Sequence, residues 1–317
     1  MADTSHPGEQ ARVFIDGEAG TTGLEIRERL AAEPAVTVAS IAHEKRKDAE
    51  TRQALMAEVD LVVLCLPDAA AVDAVALADG LGNRAPRIVD ASTAHRVAEG
   101  WVYGFPELDA KQSEAIRTAR RVANPGCYPT GGIALVRPLV DAGLLPQDHP
   151  VTVNAVSGYS GGGRQMIEAY EIEKSAPAFE LYGLGLAHKH VPELQRYGRL
   201  TRRPMFVPSV GNFRQGMLVS VPLHLDALPG QPSPADVERA LADHYAGADL
   251  VRVVPSEECA ALGGRLDALA LNGTDKLEIF IFPDADGRQA LLVARLDNLG
   301  KGAAGAAVQN IRLMLGL

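Results

Sequence analysis

The chemistry that this sequence can carry centres on one thiol. Cys127 sits in Asn124-Pro125-Gly126-Cys127-Tyr128-Pro129-Thr130-Gly131-Gly132, and Asn, Pro and Gly are turn formers. The apolar run from Ile133 to Val140 follows and predicts a helix. Cys127 thus stands where a turn becomes a helix N-terminus, whose partial positive charge favours the thiolate over the thiol. A thiolate attacks carbonyl carbons, and small neighbours let a substrate approach. The competing reading, an inert core cysteine, suits apolar surroundings, and Gly, Pro and Asn are a poor core context.

A nucleophile of this kind needs a proton carrier. His188-Lys189-His190-Val191-Pro192-Glu193-Leu194 offers two imidazoles, and His188 or His190 suits general acid/base work beside a thiol. The same pair could bind a metal from one strand, but no further Cys/His cluster supports that. Pro192 and Glu193 suit the first turn of a helix. An anion grip is offered by Ser157-Gly158-Tyr159-Ser160-Gly161-Gly162-Gly163-Arg164, with hydroxyls, backbone N–H groups and one guanidinium. The plain alternative there is a flexible Gly-rich loop. Arg96 is a second guanidinium able to hold a phosphate or carboxylate bidentately.

The elements that must position these groups fall into two halves. Arg12 to Asp16 reads as a strand, and Leu24 to Leu30 has helical spacing. Between them Gly17, Gly20 and Gly23 are spaced GxxGxxG, with Thr21 and Thr22 inside. Such a turn brings backbone N–H groups to a pyrophosphate at the helix start. The strand Val36–Ala42 ends in a basic cluster, Lys45, Arg46 and Lys47, where a ribose-binding acid often stands. That cluster suits a 2′-phosphate and favours NADP over NAD. Val59–Pro67 is a near-continuous apolar strand, followed by an Ala-rich helix over 69–81. Arg87–Thr93 is the next strand and leads to Ser92, His95 and Arg96. Strand ends such as Pro67 and Ser92 line the ligand crevice of a doubly wound sheet, which places both on the cofactor side. Tyr103–Leu108 reads as a tight loop.

Beyond Cys127, strands are expected over 151–156, 205–211, 217–223, 277–282 and 290–296, with charged helix surface over 168–174 and a helix over 234–245. Hairpins with few crossover helices predict a mostly antiparallel sheet. A final Ala-rich helix starts near Lys301 and is expected to return to the first domain. The fold class is therefore α/β: a Rossmann-type doubly wound nucleotide domain plus an α+β catalytic domain with a mostly antiparallel sheet.

The chain has 317 residues and a net charge of −9, enough for two domains and unfavourable for nucleic acid or an anionic membrane. No apolar run approaches the ~18 residues of a membrane helix. The three cysteines, 65, 127 and 259, are dispersed, which fits a reducing compartment. The expectation is a cytoplasmic protein acting on a small molecule, with no metal.

Phe14–Gly23, Asn124–Thr130, Ser157–Arg164, His188–Glu193 and Lys301-Gly302-Ala303-Ala304-Gly305 together resemble the N-acetyl-gamma-glutamyl-phosphate reductase family, in its shorter form. The likeness runs from about residue 12 to the C-terminus. The Cys loop, the HxHxPE stretch and the KGAAG run are specific in combination; the Gly loop alone is not. The resemblance implies NADPH-dependent reduction of an acyl phosphate to an aldehyde through a Cys127 thioester, in arginine biosynthesis. It implies His188, before His190, as the proton carrier, and Asn298 and Lys301 on the cofactor side. Arg96 and Arg164, with Ser157, Gly158 and Ser160, would hold substrate, and Glu193 would bind or orient it. It implies a nucleotide domain of 1–126 plus 298–317, a catalytic and oligomerisation domain of 127–297, and a homo-oligomer, dimer or tetramer. The alternatives are a related acyl-phosphate reductase (aspartyl phosphate or a lysine-pathway analogue) and a non-catalytic dinucleotide-binding regulator.

Overall fold

The computed structural model describes residues 10–317. In chain order the elements are β1 (Ala11–Asp16), α1 (Thr21–Ala31), β2 (Val36–Ala39), α2 (Ala49–Met56), β3 (Leu61–Leu64), α3 (Asp68–Asp79), β4 (Arg87–Asp90), β5 (Val102–Tyr103), α4 (Gln112–Thr118) and β6 (Arg121–Ala123). Then follow α5 (Cys127–Asp141), β7 (Thr152–Gly158), α6 (Gly163–Glu171), β8 (Phe179–Leu181), α7 (Val191–Tyr197), β9 (Met205–Gly211) and β10 (Met217–His224). The last are α8 (Pro234–His244), β11 (Val251–Val253), α9 (Ser256–Ala261), β12 (Leu277–Pro283), β13 (Gln289–Leu296) and α10 (Gly305–Leu315).

The chain divides into two compact units. The first comprises residues up to Gly104, Ser113–Asn124 and Ala307–Leu317; the second comprises Phe105–Gln112 and Pro125–Ala306. The sequence reading put 105–112, 125–126 and 298–306 with the first. The first unit holds a six-stranded sheet in the order β2-β1-β3-β4-β6-β5, parallel throughout. All four residues of β3, LVVL, are buried, as a strand covered on both faces requires. Phe14, Val62, Leu64 and Ile88 pack with Met56 of α2 and Ala71, Ala74 and Val75 of α3. Within this unit α10 is tied down by Asn310, which donates to the Gly104 carbonyl at 2.9 Å and to Asn124 Oδ1 at 3.1 Å.

The second unit holds a seven-stranded sheet in the order β11-β12-β13-β10-β7-β9-β8. Four of its six pairings are antiparallel and two are parallel. The chain is thus α/β with a Rossmann-like parallel sheet and a mixed, mostly antiparallel one. Helix α5 packs on β10 and β13 and is buried along Tyr128–Val140. Pro138 lies inside it and supplies no N–H to the turn before it. The Ala134 carbonyl that this leaves free accepts from Tyr245 Oη at 2.9 Å.

Several elements depart from the sequence reading. Helix α2 occupies a charged stretch that showed little periodicity; its start is set by Asp48, whose side chain accepts from Thr51 N at 2.8 Å. Strand β7 runs on through Ser157 and Gly158, read above as loop, because both pair with β9. Helix α6 begins at Gly163 rather than Glu168. The terminal helix opens with a π turn, Gly300–Ala304. Strands β5, β8 and β11 have two or three residues each, too short for an alternation to register.

Candidate active site

Cys127 is the first residue of α5, with Gly126 as its cap residue and no side-chain cap. The turn before it is held by Glu193, 1% exposed, whose Oε2 accepts from Gly126 N at 3.0 Å. Glu193 lies in the first turn of α7, which Pro192 opens. A charged acceptor on a buried N–H is among the stronger protein hydrogen bonds, so Glu193 fixes the cysteine turn.

The two histidines approach the same neighbourhood. His188 Nδ1 accepts from His190 N at 3.2 Å, and their rings lie 4.7 Å apart. The ring of Tyr128, next in sequence to Cys127, lies 6.3 Å from His188 and 5.9 Å from His190. Burial, then the Lys189 charge, lowers the His188 pKa, so the ring is neutral at neutral pH and able to take a proton. His190 is buried as the cap residue of α7. Two tyrosines that sequence reasoning passed over complete the cluster. Tyr182 Oη donates to Tyr128 Oη at 3.0 Å, and Tyr128 Oη donates to the Ser209 carbonyl at 2.9 Å. Burial pushes both phenols up, and the Cys127 charge adds to the shift in each. Their only signal in sequence is nearness to the Cys and His motifs.

The Gly-rich loop of the second unit is held from within. Asn298 Nδ2 donates to Ser160 Oγ at 2.9 Å, and Asn298 Oδ1 accepts from Gly216 N at 2.9 Å. Ser157 Oγ donates to the Gly158 carbonyl at 3.0 Å. Arg164 stands apart, 85% exposed and paired with Glu168 one turn on. Lys301 is buried at 1% exposure in an ion pair with Glu107. Asn298 and Lys301, expected on the cofactor side, thus have bonds within the second unit.

In the first unit a cavity of about 460 Å³ is lined by the 14–20 segment and by Ile41, His43, Arg46, Lys47, Cys65 and Leu66. Gly17 has φ +94°, and a Cβ there would stand 2.3 Å from the Cys65 carbonyl oxygen, so only glycine fits. Helix α1 starts at Thr21–Thr22–Gly23 with Gly20 before it and no side-chain cap, leaving its first N–H groups for an anion. Asp16 closes the floor, held by Arg52 Nε at 3.0 Å and Nη2 at 2.5 Å. Burial raises the Asp16 pKa despite that partner. Of the basic cluster, Arg46 and Lys47 line the cavity and Lys45 does not; His43, bonded to Arg46 at 2.7 Å, is a residue the sequence reading missed. Burial and the Asp90 and Asp16 carboxylates push the Cys65 thiol up to about 12, which makes it inert near neutrality.

The loop after β4 is built on Asp90. Its carboxylate accepts from Ser92 N at 2.9 Å and Ser92 Oγ at 2.7 Å and bonds His95 Nδ1 at 2.6 Å. His95 stacks on Trp101 at 4.2 Å. Arg96 is buried beside it and donates to the Ala91 carbonyl at 3.2 Å. Pro67 caps α3. Among the described residues no group of three or more His, Cys, Asp or Glu is placed to hold a metal ion, and no helix is long and apolar enough to cross a membrane.

Residues 127–298 match the family model for the semialdehyde dehydrogenase dimerisation domain. The chain is 56% identical over 310 residues to the N-acetyl-gamma-glutamyl-phosphate reductase of Brucella ovis, covering 96% of this chain and 99% of the relative. The Brucella melitensis enzyme of the same name matches equally, at 56%. The chain belongs to the N-acetyl-gamma-glutamyl-phosphate reductase family. Solved structures with this family's fold include aspartate semialdehyde dehydrogenase II of Vibrio cholerae complexed with ASA. It has a TM-score of 0.68 at 16% identity and covers 98% of this chain and 99% of that one. The Candida albicans aspartate semialdehyde dehydrogenase with NADP has a TM-score of 0.65 at 15% identity, over 97% and 99%. At these identities the likeness concerns the fold.

Proposed function

We propose that the protein reduces N-acetyl-gamma-glutamyl phosphate to N-acetylglutamate 5-semialdehyde and phosphate, with NADPH as reductant, in arginine biosynthesis. The observation that carries the reading is the 56% identity to reductases of that name over 96% of the chain, and the placement of Cys127 at the start of α5 agrees with it.

Cys127 acts as the nucleophile. Its thiolate adds to the acyl carbon, the bond from that carbon to the phosphate oxygen breaks, and phosphate leaves with the electron pair. The product is a thioester on Cys127. The N-terminal end of α5, with its partial positive charge, faces the oxyanion formed at each stage. The fit of the cofactor rests on the 460 Å³ cavity, its required glycine at 17 and its Arg46 and Lys47 lining, which suit a pyrophosphate and a 2′-phosphate. When bound, NADPH supplies a hydride to the thioester carbon. His188, with His190 N–H on its Nδ1, carries the proton to the resulting oxyanion. In the reverse direction it takes that proton away. On collapse of the hemithioacetal the hydroxyl proton passes back to His188, the C–S bond breaks, the thiolate returns to Cys127 and the aldehyde leaves. Glu193 holds the cysteine turn, and Arg96 takes the phosphate or the carboxylate of the substrate. Arg164, with its 85% exposure and Glu168 partner, is the weaker candidate for that duty.

The protein works as a homo-oligomer in this reading. The family model over 127–298 is described as a dimerisation domain, and the seven-stranded sheet has an apolar groove of about 590 Å³ with Phe179, Leu181, Leu218, Phe282 and Leu291 in its lining. Phe179, Leu181 and Leu291 are exposed there, as a face covered by a second copy would be. The free cysteines suit a cytoplasmic enzyme.

The test follows reduction of NADP+ by purified protein with N-acetylglutamate semialdehyde and phosphate, wild type beside Cys127→Ser, with NAD+ and aspartate semialdehyde as controls. Phosphate-dependent turnover by wild type alone is expected. Equal turnover by Cys127→Ser refutes the covalent route; preference for aspartate semialdehyde moves the substrate to aspartyl phosphate; cofactor binding without any turnover leaves a dinucleotide-binding regulator.

A further inference from the structure

The reaction above makes no use of the most deeply buried charge pair in the second unit's site region. Lys301 lies in the π turn Gly300–Ala304, a backbone form that is rare and often sits at functional sites. Its ammonium meets both carboxylate oxygens of Glu107, at 2.7 and 2.8 Å, and lies 5.4 Å from the centre of the Phe105 ring. The two side chains are 1% and 8% exposed. Removing both ions from water costs several kcal/mol per ion, and their attraction does little more than repay it. Stability is therefore a poor account of the pair, and placement is a better one.

What the turn places is Gly302. A Cβ on Gly302 would stand 2.9 Å from Cys127 Cβ and 3.3 Å from Cys127 Cα. The bare backbone of residue 302 is thus in contact with the first residue of α5. The turn is anchored in the chain by Gly302 N, which donates to the Asp297 carbonyl at 3.0 Å. Asp297 is itself fixed by Gln215 Nε2 at 2.6 Å and Gly273 N at 2.7 Å. Lys301, next to Gly302, adds a tether of four methylenes to Glu107.

We propose that the Lys301–Glu107 pair positions the nucleophile: it pins the π turn so that Gly302 backs Cys127 at the helix start. The proposal rests on Cys127 as the nucleophile. Both residues act through the backbone, and Lys301 is assigned to this duty in place of the cofactor contact read from sequence.

The test replaces the pair by an apolar one, Lys301→Met with Glu107→Leu, and measures three things on the full-length protein. These are kcat and KM for NADPH, the rate at which iodoacetamide alkylates Cys127 across pH, mapped by peptide mass with Cys65 and Cys259 as internal references, and the unfolding midpoint. Misplacement of a reacting group by 1 Å can cost about a hundredfold in rate, so a partial release predicts roughly a tenfold loss of kcat. Cys127 alkylation near neutral pH falls by a similar factor as the sulfur leaves the helix N–H groups, while KM for NADPH stays within about twofold. Unchanged alkylation and kcat in the folded variant overturn the proposal. So does a raised KM for NADPH with Cys127 alkylation intact, which returns Lys301 to the cofactor. If the double variant fails to fold, Glu107→Asp, which keeps both charges and shortens the tether by one carbon, is decided by the same two rates. Alkylation reads the thiol without turnover, so the placement is judged even if Cys127→Ser proves active and the proposed mechanism falls.

Discussion

Replacing Gly17 by alanine should separate the glycine that shapes the nucleotide loop from its neighbours. The new Cβ would lie 2.3 Å from the Cys65 carbonyl oxygen and 2.8 Å from its carbon, both backbone atoms at the end of β3. That end cannot drift freely, because Cys65 N donates to the Asp16 carbonyl at 2.8 Å. Overpacking against a fixed neighbour costs about 1–3 kcal/mol. The positive φ of +94° adds roughly 1–2 kcal/mol for a residue with a Cβ. The sum, about 2–5 kcal/mol, is a large share of a typical domain's stability. Gly20 is the control: its φ is ordinary and an added Cβ would meet only the Gly17 carbonyl oxygen, at 3.4 Å. Gly20→Ala should lose about 1 kcal/mol or less, the cost of a poorer cap. The assay is urea unfolding followed by fluorescence of Trp101, the single tryptophan of the chain, which reports on the first unit. NADPH titration of the folded protein runs alongside. Gly17→Ala should unfold at clearly lower urea than Gly20→Ala and bind NADPH at least tenfold more weakly, a loss of about 1.4 kcal/mol. Equal midpoints for the two variants would refute the steric reasoning.

Three further outcomes are expected. His188 has its pKa lowered by burial, so the reverse reaction, which needs the neutral ring as base, should keep its rate as pH falls through the ordinary histidine value of about 6.5. The rate falls only below that, and a midpoint at or above 6.5 in the pH–rate profile contradicts the assignment. The same depression has a stability sign: the unfolded chain takes up the proton first, so this contribution is present above about 6.5 and lost as pH falls towards the folded value. Leu291 is 41% exposed in the groove of the seven-stranded sheet, so Leu291→Lys should shift the protein towards monomer in sedimentation at micromolar concentration without lowering its unfolding cooperativity. An unshifted oligomer removes that face from the interface.

The parts of the site that were legible in sequence are those set by local punctuation. Pro and Gly around Cys127 announced the start of α5, and Pro192 announced α7. The glycine spacing and the apolar strand β3 announced the parallel sheet. What stayed hidden depends on which distant groups meet. Ser92 looks free at a strand end, but its hydroxyl is bonded to Asp90. Lys301 is expected from sequence on the cofactor side, and its partner lies 194 residues earlier in the chain. Asn298 and Ser160 are 138 residues apart and bonded. The basic cluster is visible as a run, but which members face the cavity depends on the helical turn His43–Lys45, which admits His43 and excludes Lys45.

The discontinuity of the first unit has a consequence for how the protein is made. Its sheet is encoded before residue 124, yet Ala307–Leu317 belongs to the same unit. Asn310, fully buried, donates to the Gly104 carbonyl and to Asn124, and Arg87 donates to the Met314 carbonyl. A nascent chain emerges from its N-terminal end at about 5–20 residues per second, and domains tend to close in that order. Here the unit whose sheet is made first waits for residues 307–317, while Pro125–Ala306 of the second unit is synthesised in between. Completion of the nucleotide cavity's own unit is thereby tied to arrival of residues 307–317.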